Sequence, residues 1–144
     1  MPFREKSAWV SMIATMAVYA VYFAILIPRL AATPGQAPPY VGLLLGCVVS
    51  LIVLQIVLHI GIAVARPAEA KLPMDERERL IVLKSDRVAG IVLSTLAACL
   101  FLIYLAGPAV MASSAIMANA VLLALVLAAV AKYASQIVYF HRVA

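Results

Sequence analysis

A chain of 144 residues that is 67% hydrophobic and only 12% charged has too little polar surface to clothe a water-soluble core. This is the composition of an integral membrane protein, and it excludes a separate soluble domain. With 11 basic against 6 acidic residues the net charge is +5, so where the basic residues fall along the chain becomes the main clue to its orientation.

Arg4 and Lys6 precede an uncharged run from Ser7 to Pro28. That run exceeds the ~7–15-residue apolar core of a secretory signal and predicts a retained first span at about Ala8–Ile27. A turn-rich link, AATPGQAPP at Ala31–Pro39, leads to a second span at about Val41–Val64. After a charged segment come a third span at about Val88–Ala106, an uncharged connector at Gly107–Ala115 and a fourth span at about Ile116–Val138. Arg4, Lys6, Arg66, Lys71, Arg77, Arg79, Lys84, Arg87, Lys132 and Arg142 fall on one side of this alternation, and only Arg29 on the other. The positive-inside rule then predicts an all-α, four-helix transmembrane bundle, residues 1–144 forming one membrane domain of the bacterial inner membrane with both termini and the 65–87 segment cytoplasmic. Trp9, Tyr133, Tyr139 and Phe140 near the inner surface, with Tyr40 and Tyr104 near the outer one, agree with that placement.

Nearly half of the charged residues lie in DERERLIVLKSDRVAG, Asp75–Gly90. Asp75 is placed to cap a helix, with Glu76 in its first turn, and both complement the positive end of the helix dipole. No proline intervenes before Gly107, so this helix is predicted to run unbroken into the third span as a cytoplasmic extension. At 1.5 Å per residue it measures roughly 48 Å, against ~30 Å of hydrocarbon, so its first turns are expected to project from the membrane. Leu80, Ile81, Val82 and Leu83 are consecutive and point in all directions at 100° spacing. They rest against neighbouring spans and the lipid interface, or they form part of a docking surface for another chain.

Small residues recur at four-residue spacing: Gly42, Gly46 and Ser50; Gly90, Ser94 and Ala98; Ala120, Ala124 and Ala128. Such ridges let helices approach closely in lipid, and they are expected to pack within the bundle, a homodimer being the other use. Cys47 and Cys99 stand alone in apolar runs and read as buried thiols.

None of the four predicted spans contains Asp or Glu, which argues against proton relays and charge-coupled carriers. Gln55 and His59 share a face of span two at i and i+4, and Lys132 and Gln136 repeat the spacing in span four. If those helices are neighbours, the four side chains form an intramembrane polar cluster, joined by Asp86 or Arg87. It would serve as interhelical hydrogen bonding or as a small-ligand or pH-sensing site around His59. His59 has no second axial histidine in the bilayer, so haem is not expected, and neither is any other cofactor or metal. No Ser/His/Asp set, phosphate loop or paired catalytic carboxylate is legible in the chain, which argues against an enzyme. Asn119 reads as a helix-packing hydrogen bonder.

Three segments together, EKSAW at Glu5–Trp9, DERERLIVLKSDRVAG at Asp75–Gly90 and NAVLLALVLAAVAKYASQIVYFHR at Asn119–Arg142, resemble a family of small bacterial four-span membrane proteins with a cytoplasmic DERE...K segment. The resemblance covers about a third of the chain. The family pattern often places an acid before the lysine of the last span, where this chain has Ala131. Such proteins are often encoded beside small transcription regulators of helix-turn-helix or LytTR type. The resemblance thus implies a membrane anti-regulator that holds a regulator at the membrane, without itself binding nucleic acid. On that expectation the partner-binding residues are Asp75, Glu76, Arg77, Glu78, Arg79, Leu80, Ile81, Leu83, Lys84 and Arg87. A small-ligand sensor or carrier built on Gln55, His59, Lys132 and Gln136, and an accessory subunit of a larger membrane complex, are the alternatives.

Overall fold

The computed structural model of the chain describes residues 3–32, 40–65, 67, 73–107 and 114–143. Arg66, Lys71, most of the 31–39 link and the 108–113 connector lie outside the described residues. Four helices account for nearly all of the rest: α1 (Phe3–Ala32), α2 (Tyr40–Ala65), α3 (Glu76–Ala106) and α4 (Ser114–Val143). All four are long and apolar enough to cross a membrane. A backbone crossing hydrocarbon must satisfy its polar groups internally, and runs of Leu, Ala, Val and Ile do so as helix.

The helix boundaries follow from local chemistry. Asp75 is extended (φ −68°, ψ 150°), and its N–H points to Glu78 Oε2 at a long 3.4 Å, while its carbonyl accepts the first helical bond of α3 from Arg79 N at 2.9 Å. At the other end Gly107 N donates to Ile103 O at 3.1 Å. Along α3 the hydroxyls of Ser94 and Thr95 return to the carbonyls of Gly90 and Ile91, so neither enters lipid with an unused donor. As expected, α3 is continuous from the charged segment into the span.

The packing order is α3 against α4, α4 against α1, and α1 against α2. Glu5 meets His141 and Tyr22 meets Asn119, so α1 and α4 are antiparallel; Ser7 and Thr15 meet His59 and Gln55, so α1 and α2 are antiparallel as well. The core lies along α1 (Ala8, Ser11, Ala14, Thr15, Tyr22, Leu26) and α4 (Ala115, Asn119, Ala124, Val126, Ala128, Ile137, Phe140). By contrast α2 buries no residue, and α3 buries only Ile81 and Ser85.

This order corrects two expectations. Of the small-residue ridges only that of α4 packs inside the bundle, through Ala124 and Ala128. Those of α2 and α3 face outward, and an added methyl at Gly42, Gly46 or Gly90 would meet nothing within 4 Å. Cys99 is exposed on α3 and Cys47 half-buried, because an apolar run identifies a residue suited to lipid as readily as one suited to a core. The first turns of α3 rest partly against the bundle, one of the two placements expected of the apolar quartet: Ile81 and Ser85 are packed at 6% and 0% exposure.

Candidate functional site

Polar side chains of three helices converge at the charged end. On α1, Ser7, Ser11 and Thr15 recur every fourth residue and so share one face. Opposite them on α2, Gln55 and His59 occupy successive turns of one face, and α4 adds Lys132, Tyr133 and Gln136. With Arg4, Ala8 and Val82 these residues, Thr15 excepted, line one cavity of about 270 Å³. The four residues Gln55, His59, Lys132 and Gln136 are therefore brought to a common space, although α2 packs chiefly on α1.

The hydrogen bonds fix the imidazole. His59 Nδ1 lies 2.8 Å from the Gln55 carbonyl, which can only accept, so Nδ1 carries a proton. In the neutral ring Nε2 is then the acceptor, and Ser7 Oγ donates to it at 2.9 Å, with Ser11 Oγ at 3.4 Å. Gln55 Nε2 reaches Thr15 Oγ1 at 3.5 Å. The Ser7–His59 contact has the spacing of a nucleophile and base, but a carbonyl rather than a carboxylate orients the ring.

Among the described residues, three contacts between basic and acidic side chains join the helices at this end. Lys132 Nζ meets Asp86 Oδ1 at 2.6 Å, tying α4 to α3; Asp86, one of the two residues named as possible neighbours of the cluster, is the one that joins it. Arg4 Nε meets Glu78 Oε2 at 2.7 Å, tying α1 to α3. Glu5, only 2% exposed, has Oε1 2.8 Å from His141 Nδ1 on α4, within ion-pair distance but without hydrogen-bond alignment. The three segments EKSAW, DERERLIVLKSDRVAG and the closing part of α4 thus lock together at one end.

A second cavity of about 230 Å³ adjoins the first, sharing Gln55 and Tyr133 with it; Thr15, Tyr19, Leu51, Leu122, Leu125, Val126 and Ala129 complete its wall. Deeper still, Tyr22 Oη donates to Asn119 Oδ1 at 2.6 Å, and Asn119 Nδ2 donates to Ala115 O at 2.8 Å, the packing role expected of Asn119.

The predicted partner-binding residues divide. Asp75, Glu76, Arg77, Arg79, Leu80, Leu83, Lys84 and Arg87 are exposed. Glu78 is engaged by Arg4. Ile81 corrects the expectation: it is buried against the bundle and is not available to a docking partner, because the four consecutive apolar residues surround the helix and one must face α4. Sequence reasoning missed Arg4, Ser7, Ser11, Thr15 and Tyr133. The four-residue spacing of the α1 hydroxyls was a legible signal, the same one used for Gln55 and His59. The burial of Glu5 had no such signal, since it depends on the length of α4. Among the described residues no three His, Cys, Asp or Glu side chains gather closely enough to hold a metal ion. No family model, curated protein or solved structure matches the chain.

Proposed function

We propose that this chain is a non-enzymatic, multi-pass protein of the bacterial inner membrane, its charged end in the cytoplasm, that restrains a cytoplasmic partner on the outer face of α3. The observation that carries this reading is the division of the first turns of α3. Ile81 and Ser85 are held inward and Glu78 and Asp86 are tied by ion pairs, while Leu80 and Leu83 stay exposed among Arg77, Arg79, Lys84 and Arg87. Two apolar anchors on a braced helix, ringed by charge, suit a contact in which the apolar side chains supply affinity and the charges set orientation. The family resemblance makes the partner a small DNA-binding transcription regulator, silenced when its DNA-binding or dimerising surface is occupied at the membrane. The charged end faces the cytoplasm by the distribution of basic residues.

Leu80→Asp and Leu83→Asp test this. Each variant should accumulate in the membrane as the parent does, because the side chain is not part of the core. Loss of one central anchor lowers partner affinity about 5- to 30-fold. The partner is recovered with the intact protein from mild detergent and identified by mass spectrometry, and its target gene should be activated in both variants. If Leu80 and Leu83 merely rest in the lipid interface, partner recovery and target transcription stay unchanged, and the reading is wrong. A second reading, a small-ligand sensor or carrier, is supported by the cavity that Gln55, His59, Lys132 and Gln136 share.

A further inference from the structure

We infer that the two adjoining cavities are the head and tail halves of one groove, and that its occupant is a single anionic lipid of the leaflet at the charged end. This rests on the second reading, that the cavity is a ligand site, and names the ligand class.

The two walls differ in chemistry. The first carries two cations, Arg4 and Lys132, with His59, hydroxyls and amides, and no carboxylate is part of it. Glu78 takes Arg4 at Nε and Asp86 takes one position on the Lys132 ammonium, so terminal guanidinium donors and two further ammonium donors remain for another anion. The second wall is mostly hydrocarbon, from Leu51, Leu122, Leu125, Val126 and Ala129. Because Gln55 and Tyr133 belong to both walls, the polar and apolar parts are continuous. Neither a free anion nor an apolar molecule would use both.

The dimensions agree with a lipid. From His59 to Leu51 along α2 is about 12 Å, and from Lys132 to Leu122 along α4 about 15 Å, at the rise of an α-helix. Half of a ~30 Å hydrocarbon layer is about 15 Å, so the groove is about as long as one leaflet is deep. It is also reachable from the side. The main packing of α2 is on α1, and no residue of α2 is buried, so α2 does not seal the space between itself and α4. Basic pockets between helices at a membrane surface favour anionic headgroups, and here the pocket has a matching chain slot beneath it.

The test uses the full-length protein in mild detergent and native mass spectrometry, with phosphatidylglycerol, phosphatidylcholine and inorganic phosphate as probes. The wild type should retain one phosphatidylglycerol in preference to phosphatidylcholine by about 5- to 30-fold, as expected of one or two basic contacts to the head. Lys132→Gln should lower that preference below about threefold while some lipid is still retained. Ala129→Phe, which fills the apolar slot and leaves every charge in place, should reduce retention of both lipids. Arg4→Gln answers the headgroup question if Lys132→Gln does not elute as the folded parent does. Excess inorganic phosphate should leave the lipid in place. Should phosphate bind alone and displace the lipid, with Ala129→Phe inert, the site takes a small anion and the lipid assignment is wrong although a ligand site remains. Equal retention of phosphatidylglycerol by wild type and both headgroup variants means nonspecific annular lipid and overturns the proposal. If neither lipid nor phosphate is retained, the ligand-site reading falls with it.

Discussion

Replacing Tyr22 with Phe removes one oxygen from one of the most enclosed side chains in the bundle, at 0% exposure, and leaves its shape intact. The edge-on ring contacts to Tyr19 and Phe23, at 6.5 and 5.2 Å between centroids, should survive. What is lost is the 2.6 Å bond to Asn119 Oδ1. In a soluble core an acceptor orphaned in this way costs about 1–3 kcal/mol. Between membrane helices, coupling energies average ~0.6 kcal/mol and reach ~1.7, because the unfolded chain also finds partners in the bilayer. Here the value should fall in the upper part of the membrane range. Asn119 is 7% exposed, and its amide nitrogen is already committed to Ala115 O at 2.8 Å, so the side chain cannot turn to a new donor without breaking that bond. The expected loss is therefore ~1–1.7 kcal/mol, about a 5- to 18-fold fall in the folded to unfolded ratio, read by reversible unfolding in mixed detergent micelles. Asn119→Leu alone should cost a similar amount by orphaning the Tyr22 hydroxyl. The double variant Tyr22→Phe/Asn119→Leu should recover roughly 1 kcal/mol relative to the sum of the single changes, since neither polar group is then left alone. A coupling energy below ~0.3 kcal/mol would refute the argument that this bond holds α1 to α4.

Ile81→Asp should lower the amount of protein in the membrane, because burial of Ile contributes ~1.5–3 kcal/mol and an unpaired carboxylate in its place adds a desolvation cost; immunoblots of membrane fractions beside Leu80→Asp check this, and normal accumulation of Ile81→Asp would show that the α3–α4 packing is wrong. Cysteines introduced near Gly35 and Ser113 should react with a membrane-impermeant reagent from outside the cell, and one near Ala70 should not. Strong external labelling near Ala70 would reverse the orientation read from the ten-to-one division of basic residues.

The four spans, the unbroken course of α3 and the start of that helix at Asp75 were legible along the chain, because span length and helix capping depend on neighbours in sequence. So were the pairs Gln55 with His59 and Lys132 with Gln136, each one turn apart on its own helix. The tertiary structure decided what those faces meet. It set α1 and α4 at the centre, turned the glycine ridges of α2 and α3 outward, and brought Ser7 and Ser11 onto His59 and Asp86 onto Lys132. It also chose Ile81, rather than Leu80 or Leu83, as the residue of the apolar quartet that is buried. The reason is physical: lipid tails are as apolar as leucine, so a face that packs on another helix and a face that meets lipid have the same composition, and only close packing and polar contacts between helices tell them apart.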